Sequence, residues 1–364
     1  MGLSVKDQGV IRDAKKVYAK VGGTWNTGKK VFANVSGSWR QVWSNTNVSL
    51  YSSIPTGGGG VTGSGMVVVG DYLYSFGGSN SFGSSIGGST LAAFRMNITS
   101  GAWERIADIP SDSYEVIAYY SPSDNKIYLV GMHSSGQATH YAYNIASNSY
   151  ESLSLTTYSY TYKNYKYGKA RDELSNSGAG SQYAWVVNSY DFLNSAANNK
   201  NIKVDLKTAA ETGYAQLSVY NFAFICAYVN GDIYAFSHLY TGGEAPYYKW
   251  TASSNTWAKL GTCPWGAGYS TFDVGSSGRA ILGTDGKVYI VIRKYMTNFD
   301  VYTFDPTTNT FALLFNITHS ITSVNTTSMS PTMCHDLKRS CFWILSPEKI
   351  DSSSWKSNIY KLEY

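Results

Sequence analysis

The feature that most constrains this chain is a weak repeat running through most of its length. Five segments end alike, in a small polar turn, an aromatic, and then leucine or isoleucine: TSGAWERIADIP at Trp103, SNSYESL at Tyr150, ETGYAQL at Tyr214, SSNTWAKLGTCP at Trp257 and TTNTFALL at Phe311. The anchors stand 47, 64, 43 and 54 residues apart, the period of four-stranded propeller blades with variable loops. Asn97, Asn144 and Asp305 each precede their aromatic by six residues and follow an apolar run, AAFRM, HYAY or VYTF. Asp205 stands in the same role with three residues inserted, and Thr251 takes the place in the Trp257 copy. Each tail therefore reads as a hairpin.

Upstream of each tail lies a second hairpin, with turns VGDYLY, SDNKIY, VNGDIY and TDGKVY, in which Gly, Asn and Asp supply the positive φ of tight loops. After each turn an aromatic holds one equivalent position: Tyr74, Tyr128, Trp185, Tyr234, Tyr289 and Phe342. Six aromatics predict six blades, with these side chains packed between neighbours. The chain ends at SNIYKLEY, which matches a third strand, while NTNVSLYSSIP (45–55) aligns with GAWERIADIP so that Val48 falls where Trp103 falls. A ring must hide its first and last edges, and a strand borrowed from the opposite end does so without a disulfide. The expectation is an all-β protein whose residues 44–364 form one closed six-bladed β-propeller.

Composition agrees. Aromatics are 15%, with 31 tyrosines, charged residues only 15%, and there are 35 glycines, a β-rich and turn-rich balance. The net charge of +5 is spread out, without a basic block to grip phosphates, so no nucleic-acid partner is expected. The start MGLSVKDQGVIRDAKK lacks an apolar core after its charges, and no run approaches the length of a membrane span. This predicts synthesis in the cytoplasm without a signal peptide, and no membrane insertion. Four cysteines, Cys226, Cys263, Cys334 and Cys341, show no CxxC spacing and read as buried free thiols; Cys334 and Cys341 flank the turn HDLKRS and are placed to face each other across a hairpin.

Before the ring, a 14-residue unit occurs twice without a gap, KKVYAKVGGTWNTG (15–28) and KKVFANVSGSWRQV (29–42). Each reads as strand, turn, strand, with an alternating run (Val17, Ala19, Val21; Val31, Ala33, Val35), a glycine turn and a closing tryptophan (Trp25, Trp39). Hairpins of this size cannot stand alone and must pack on something else.

These tandem units resemble those at the ends of bacteriophage tail and fibre proteins, where they join variable domains. The resemblance covers about residues 10–43 and implies a virion protein. It makes residues 1–43 an attachment module, with Val17, Tyr18, Trp25, Val31, Phe32 and Trp39 as the docking residues and other virion proteins as the partners. The blade pattern, with GDYLYSFGG at 70–78, is similar to kelch repeats. Only the first blade carries the double glycine; the others read LVGM, VVNS, AFSH, VIRK and ILSP there.

No enzyme is expected. The SxDxGxxW turn of sialidases, and GxSxG, HExxH and phosphate-cradling loops, are missing, and the five histidines (His133, His140, His238, His319, His335) lack ligand spacing, so no metal and no cofactor are assigned. His133 and His238 fall in comparable loops after the second strand.

The loops between second and third strands read as long and variable, whereas those between first and second strands read as short, which sets a functional face on a rigid base. Phe82, Tyr190, Phe192, Tyr240, Tyr247, Tyr295 and Trp355 sit in those long loops beside Asn, Ser and Asp. Such rings can stack on sugars, anchor a protein partner, or pack their own loops. The function expected is a tail fibre or spike component, homo-oligomeric within the particle, whose propeller binds a host-surface polysaccharide or receptor. The alternatives are a purely structural tail, collar or capsid decoration or adaptor protein, and, third, a polysaccharide-degrading spike.

Overall fold

In the computed structural model the described residues are 4–7, 10–13, 17–21, 24–28, 30–35, 38–44, 48–54, 64–78, 91–111, 113–132, 138–153, 167–175, 180–188, 201–208, 210–217, 222–239, 244–265, 278–294, 298–318, 331–349 and 355–364, with backbone alone before residue 48. They form strands and no helix. Two compact units result, one of Met1–Ser49 with Leu362–Tyr364 and one of Leu50–Lys361.

The first unit holds three antiparallel hairpins: β1 (Ser4–Asp7) with β2 (Val10–Asp13), β3 (Val17–Val21) with β4 (Thr24–Gly28), and β5 (Lys30–Val35) with β6 (Ser38–Ser44). Both copies of the tandem unit form the expected pair of antiparallel strands. Lys20 lies opposite Trp25 in the first and Asn34 opposite Trp39 in the second, the same register fourteen residues on. A bulge at Val31/Phe32 then sets Val31 opposite Trp43. The hairpin β1–β2 was not expected from the sequence.

Each blade is a four-stranded antiparallel sheet. Blade 1 comprises β8 (Gly65–Val69), β9 (Tyr72–Phe76), β10 (Ala93–Asn97) and β11 (Trp103–Arg105); blade 2 comprises β12 (Tyr114–Ser121), β13 (Lys126–Met132), β14 (Ala138–Asn144) and β15 (Ser149–Ser152). Blade 3 has β16 (Tyr167–Arg171), β17 (Tyr183–Asn188), β18 (Asn201–Asp205) and β19 (Glu211–Tyr214); blade 4 has β20 (Phe222–Val229), β21 (Asp232–Leu239), β22 (Pro246–Thr251) and β23 (Thr256–Thr262). Blade 5 is built of β24 (Gly278–Leu282), β25 (Val288–Lys294), β26 (Asn298–Asp305) and β27 (Thr310–Thr318). Blade 6 takes β28 (Thr332–Asp336), β29 (Cys341–Lys349) and β30 (Trp355–Glu363) from the end of the chain and β7 (Val48–Ile54) from its beginning, in the order β28-β29-β30-β7. First strands adjoin at five of the six blade junctions, β28 against β8 among them, and blades 2 and 3 meet through a buried cluster that includes Tyr128 and Val204, so the ring is closed.

The chain is thus a six-bladed β-propeller sealed by an N-terminal strand. The seam is also held by side chains. Ser52 Oγ donates to Gly101 O at 2.9 Å, Trp103 Nε1 donates to Ser52 Oγ at 3.1 Å, and the Tyr51 hydroxyl donates to Ile98 O. On the turns, Arg339 Nη2 reaches Asp71 Oδ1 at 2.6 Å and Arg339 Nη1 reaches Asp336 Oδ2 at 3.0 Å, joining blade 6 to blade 1.

The core is a series of wedges between blades. One cluster joins blades 6 and 1 through Ile54, Leu73, Trp343 and Ile359; another joins blades 4 and 5 through Phe236, Tyr247, Ile290 and Phe304. The six second-strand aromatics are all buried, as expected. Four meet rings of the next blade: Tyr74 on Tyr143 at 6.2 Å, Trp185 on Tyr228 at 4.5 Å, Tyr234 on Phe304 at 5.3 Å and Tyr289 on Phe342 at 4.8 Å.

The tail hairpins show why Asn or Asp recurs. Oδ1 of Asn97, Asn144, Asp205 and Asp305 accepts from the N–H groups two and three residues on, closing the turn locally. Thr251 lacks that carbonyl, and Asp232 Oδ1 accepts from Ala252 N instead at 3.2 Å. Asn148 and Asn255, both at positive φ, reach the previous blade, accepting from Ala107 N and Ala215 N at 2.9 Å. The double glycine of blade 1 is explained by Gly77, at φ +61, where a Cβ would stand 2.3 Å from Ser113 O.

The expected facing of Cys334 and Cys341 is corrected. Register sets Cys334 opposite Trp343 and Cys341 opposite Asp336, and all four cysteines are buried with no disulfide among them.

Candidate functional site

Of the seven residues assigned to the long-loop face, Phe82, Tyr190, Phe192, Tyr240 and Tyr295 lie outside the described residues. Trp355 begins β30, with only its backbone described. Tyr247 is the correction: it lies on β22, 3% exposed, and packs against Phe236, Phe304 and Phe311 with ring centroids 6.0, 5.4 and 5.3 Å away. Continuing the strand to Pro246 turns this ring into the wedge between blades 4 and 5, so it cannot meet a ligand in a loop. His238 likewise falls on β21, not in a loop. Val17, Tyr18, Trp25, Val31, Phe32 and Trp39, expected to be docking residues, all fall on β3 to β6.

The expected loop asymmetry is clear in blades 1 and 4 alone: blades 2 and 6 have first-to-second and second-to-third connections of four and five residues, and blade 5 reverses the order, with 283–287 longer than 295–297. In blade 3 the connection from first to second strand spans residues 172–182, where blades 1 and 4 use two-residue turns. Asp172 Oδ1 accepts from Leu174 N at 3.1 Å and Ser175 N at 3.2 Å, Gly180 N donates to Ser175 O at 3.0 Å, and Ser181 N donates to Asp172 O at 2.7 Å. Leu174 packs against the wedge of blades 4 and 5. This connection therefore leans toward the ring centre, where β16 also approaches β24 past blade 4.

The lean assembles a buried charged group. Glu173, 6% exposed, accepts from Arg171 Nη2 through Oε2 and from Arg279 Nη2 through Oε1, the latter at 3.1 Å. Arg171 ends β16 of blade 3, Arg279 is the second residue of β24 of blade 5, and both are largely buried, with side chains 3% and 17% exposed. Arg171 Cζ sits 5.9 Å from the Tyr119 ring centroid, and a Cβ at Gly180 would stand 3.0 Å from it, so the glycine makes room for the guanidinium. Burial pushes the Glu173 carboxyl up, but Arg171 and Arg279 outweigh it and hold it below the ordinary carboxylate range. Burial pulls the nearby His335 below its usual value, against the pull of Glu173 and Asp336.

Arg171, Glu173 and Arg279 were not singled out from the sequence. The sole sequence signal is the length of RDELSNSGAGSQ against the tight turns of the other blades. Lys169, two residues before Arg171 on β16, is also buried, at 9% exposed. Among the described residues no group of three or more His, Cys, Asp or Glu is placed to hold a metal ion.

No family model matches the chain, and none of the curated proteins matches it. Among solved structures it is similar to a fungal alcohol oxidase of the AA5 family in complex with copper, at TM-score 0.46 and 12% identity, over 82% of this chain and 62% of that one. A likeness this distant says nothing about chemistry. The fold and the site define a class, a six-bladed propeller carrying a buried arginine–carboxylate centre, preceded by tandem hairpins.

Proposed function

We propose that the chain is a bacteriophage virion component, a tail fibre or spike subunit whose N-terminal hairpins attach to other virion proteins and whose propeller recognises a host-surface glycan. It acts by binding and without catalysis, and many copies per particle supply avidity. The observation that carries this reading is a division of labour along the chain. β7 alone completes blade 6, and β1 to β6 contribute to no blade, leaving two hairpins that share one register around their tryptophans without a part in the ring. Repeated small units outside a self-sufficient domain suit an attachment device. The long second-to-third connections of blades 1 and 3, residues 77–92 and 189–200, are where a rigid ring would carry recognition.

A second reading, a structural decoration or adaptor protein, draws on two exposed leucines of neighbouring outermost strands, Leu260 of β23 at 39% and Leu313 of β27 at 55%. Particles assembled with a chain lacking residues 1–43 separate the roles of the two parts. Loss of the truncated chain from particles, with its propeller still folded, is expected; undiminished incorporation would contradict the attachment role.

A further inference from the structure

Three nitrogens of the central guanidiniums, Arg171 Nε, Arg171 Nη1 and Arg279 Nε, are buried and find no acceptor among the described residues. Arginine is almost never left this way, because a buried charge-bearing donor without a partner loses its hydration for no return. The charge count points the same way. Two guanidiniums face one carboxylate, Glu173. The Asp336 carboxylate beyond is already taken, by Arg339 Nη1 at 3.0 Å and Trp343 Nε1 at 3.1 Å. His335, Cys226 and Cys334 around the group are kept from charging by burial. Among the described residues one positive charge is left in excess at Arg171 and Arg279.

We propose that the centre of the ring binds a small oxyanion, a carboxylate or a sulfate-like group, held by the unaccepted N–H groups of Arg171 and Arg279, with Glu173 as the strut that fixes both guanidiniums. The planar guanidinium presents its donors in an array that matches the oxygens of such groups, which a halide cannot satisfy. Size is limited by burial, since Arg171 is 5% and Glu173 6% exposed. The ligand is therefore a free small anion or the acidic group of a single sugar. Arg171 is held in place for this by the Tyr119 ring and by its close approach to the bare Cα of Gly180. The proposal does not depend on the glycan reading above, and either can fail alone.

The test is isothermal titration of the full-length chain with sodium sulfate, acetate and glucuronate at fixed ionic strength, with thermal unfolding in matched chloride as the baseline. Saturable heat and a raised Tm with at least one oxyanion, absent with chloride, are expected. Binding of glucuronate tighter than acetate would identify a sugar-borne carboxylate as the source; sulfate or acetate binding as well as glucuronate would identify a free anion. Arg279→Lys keeps a cation for Glu173 but removes the Nε donor, and is expected to fold and to weaken binding about tenfold or more. Oxyanions that stabilise the unaltered chain no more than matched chloride would overturn the proposal, as would full affinity in Arg279→Lys.

Discussion

Glu173 Oε1 lies 3.1 Å from Arg279 Nη2, so a carboxylate just beyond the innermost strand of blade 3 meets a guanidinium on the innermost strand of blade 5, 106 residues away in the chain. With Arg171 on its other oxygen, Glu173 is a charged tie across the middle of the ring. Its lowered pKa has a definite consequence. A carboxyl depressed in the folded state contributes stability at pH above its unfolded value of 4.5, and that contribution is lost as pH falls through the lower folded value. Melting temperature followed from pH 7 to pH 3 should therefore drop more steeply for the unaltered chain than for Glu173→Gln. Parallel curves would show that the tie contributes nothing to acid sensitivity.

Closure of the ring by β7 predicts a sharp boundary for truncation. Removing residues 1–43 leaves the strand intact and should leave unfolding cooperative and Tm nearly unchanged. Removing residues 1–54 deletes β7, exposes the edge of β30 and discards Ile54, which is 2% exposed and by itself contributes about 2 kcal/mol of burial. The longer truncation should lower Tm steeply and produce soluble aggregates on size-exclusion chromatography.

Two glycines of blade 1 with nearly equal φ separate strain from crowding. Gly70, at φ +60, has nothing within 4 Å of a built Cβ, whereas Gly77, at φ +61, has Ser113 O at 2.3 Å. Gly70→Ala should cost about 1 kcal/mol, the conformational penalty alone. Gly77→Ala should cost about 3 kcal/mol, because the backbone of the blade 2 entry must also move. Equal losses in urea unfolding would show that the clash is absorbed.

Tyr247→Ala should destabilise the ring by about 3–5 kcal/mol, as loss of a large buried ring does. Tyr247→Phe should be close to neutral, since the packing against Phe236, Phe304 and Phe311 is kept. Any adsorption defect of Tyr247→Ala should then follow the amount of folded protein; a defect in a fully folded variant would return this residue to the ligand-contacting group.

The blades were legible because they repeat. Each turn needs the same Asn, Asp or Gly chemistry and each wedge the same aromatic, so Asn144, Asp305 and Tyr234 announce their roles locally. The borrowed strand was legible because Val48 aligns with Trp103. Tyr247 was misplaced because EAPYY carries no sign of where the loop ends and the strand begins, and one residue decides whether a ring faces solvent or core. Arg171, Glu173 and Arg279 were invisible for another reason. Their meeting depends on the ring bringing blades 3 and 5 together, and no spacing along the chain encodes it.

The measurement that tests the account most directly is binding of labelled, purified chain to intact host cells and to the same cells stripped of surface polysaccharide. Saturable binding to intact cells that disappears on stripping, and that survives removal of residues 1–43, is the predicted result. Equal binding to both kinds of cell, or none to either at multivalent concentration, would contradict a glycan-recognising head.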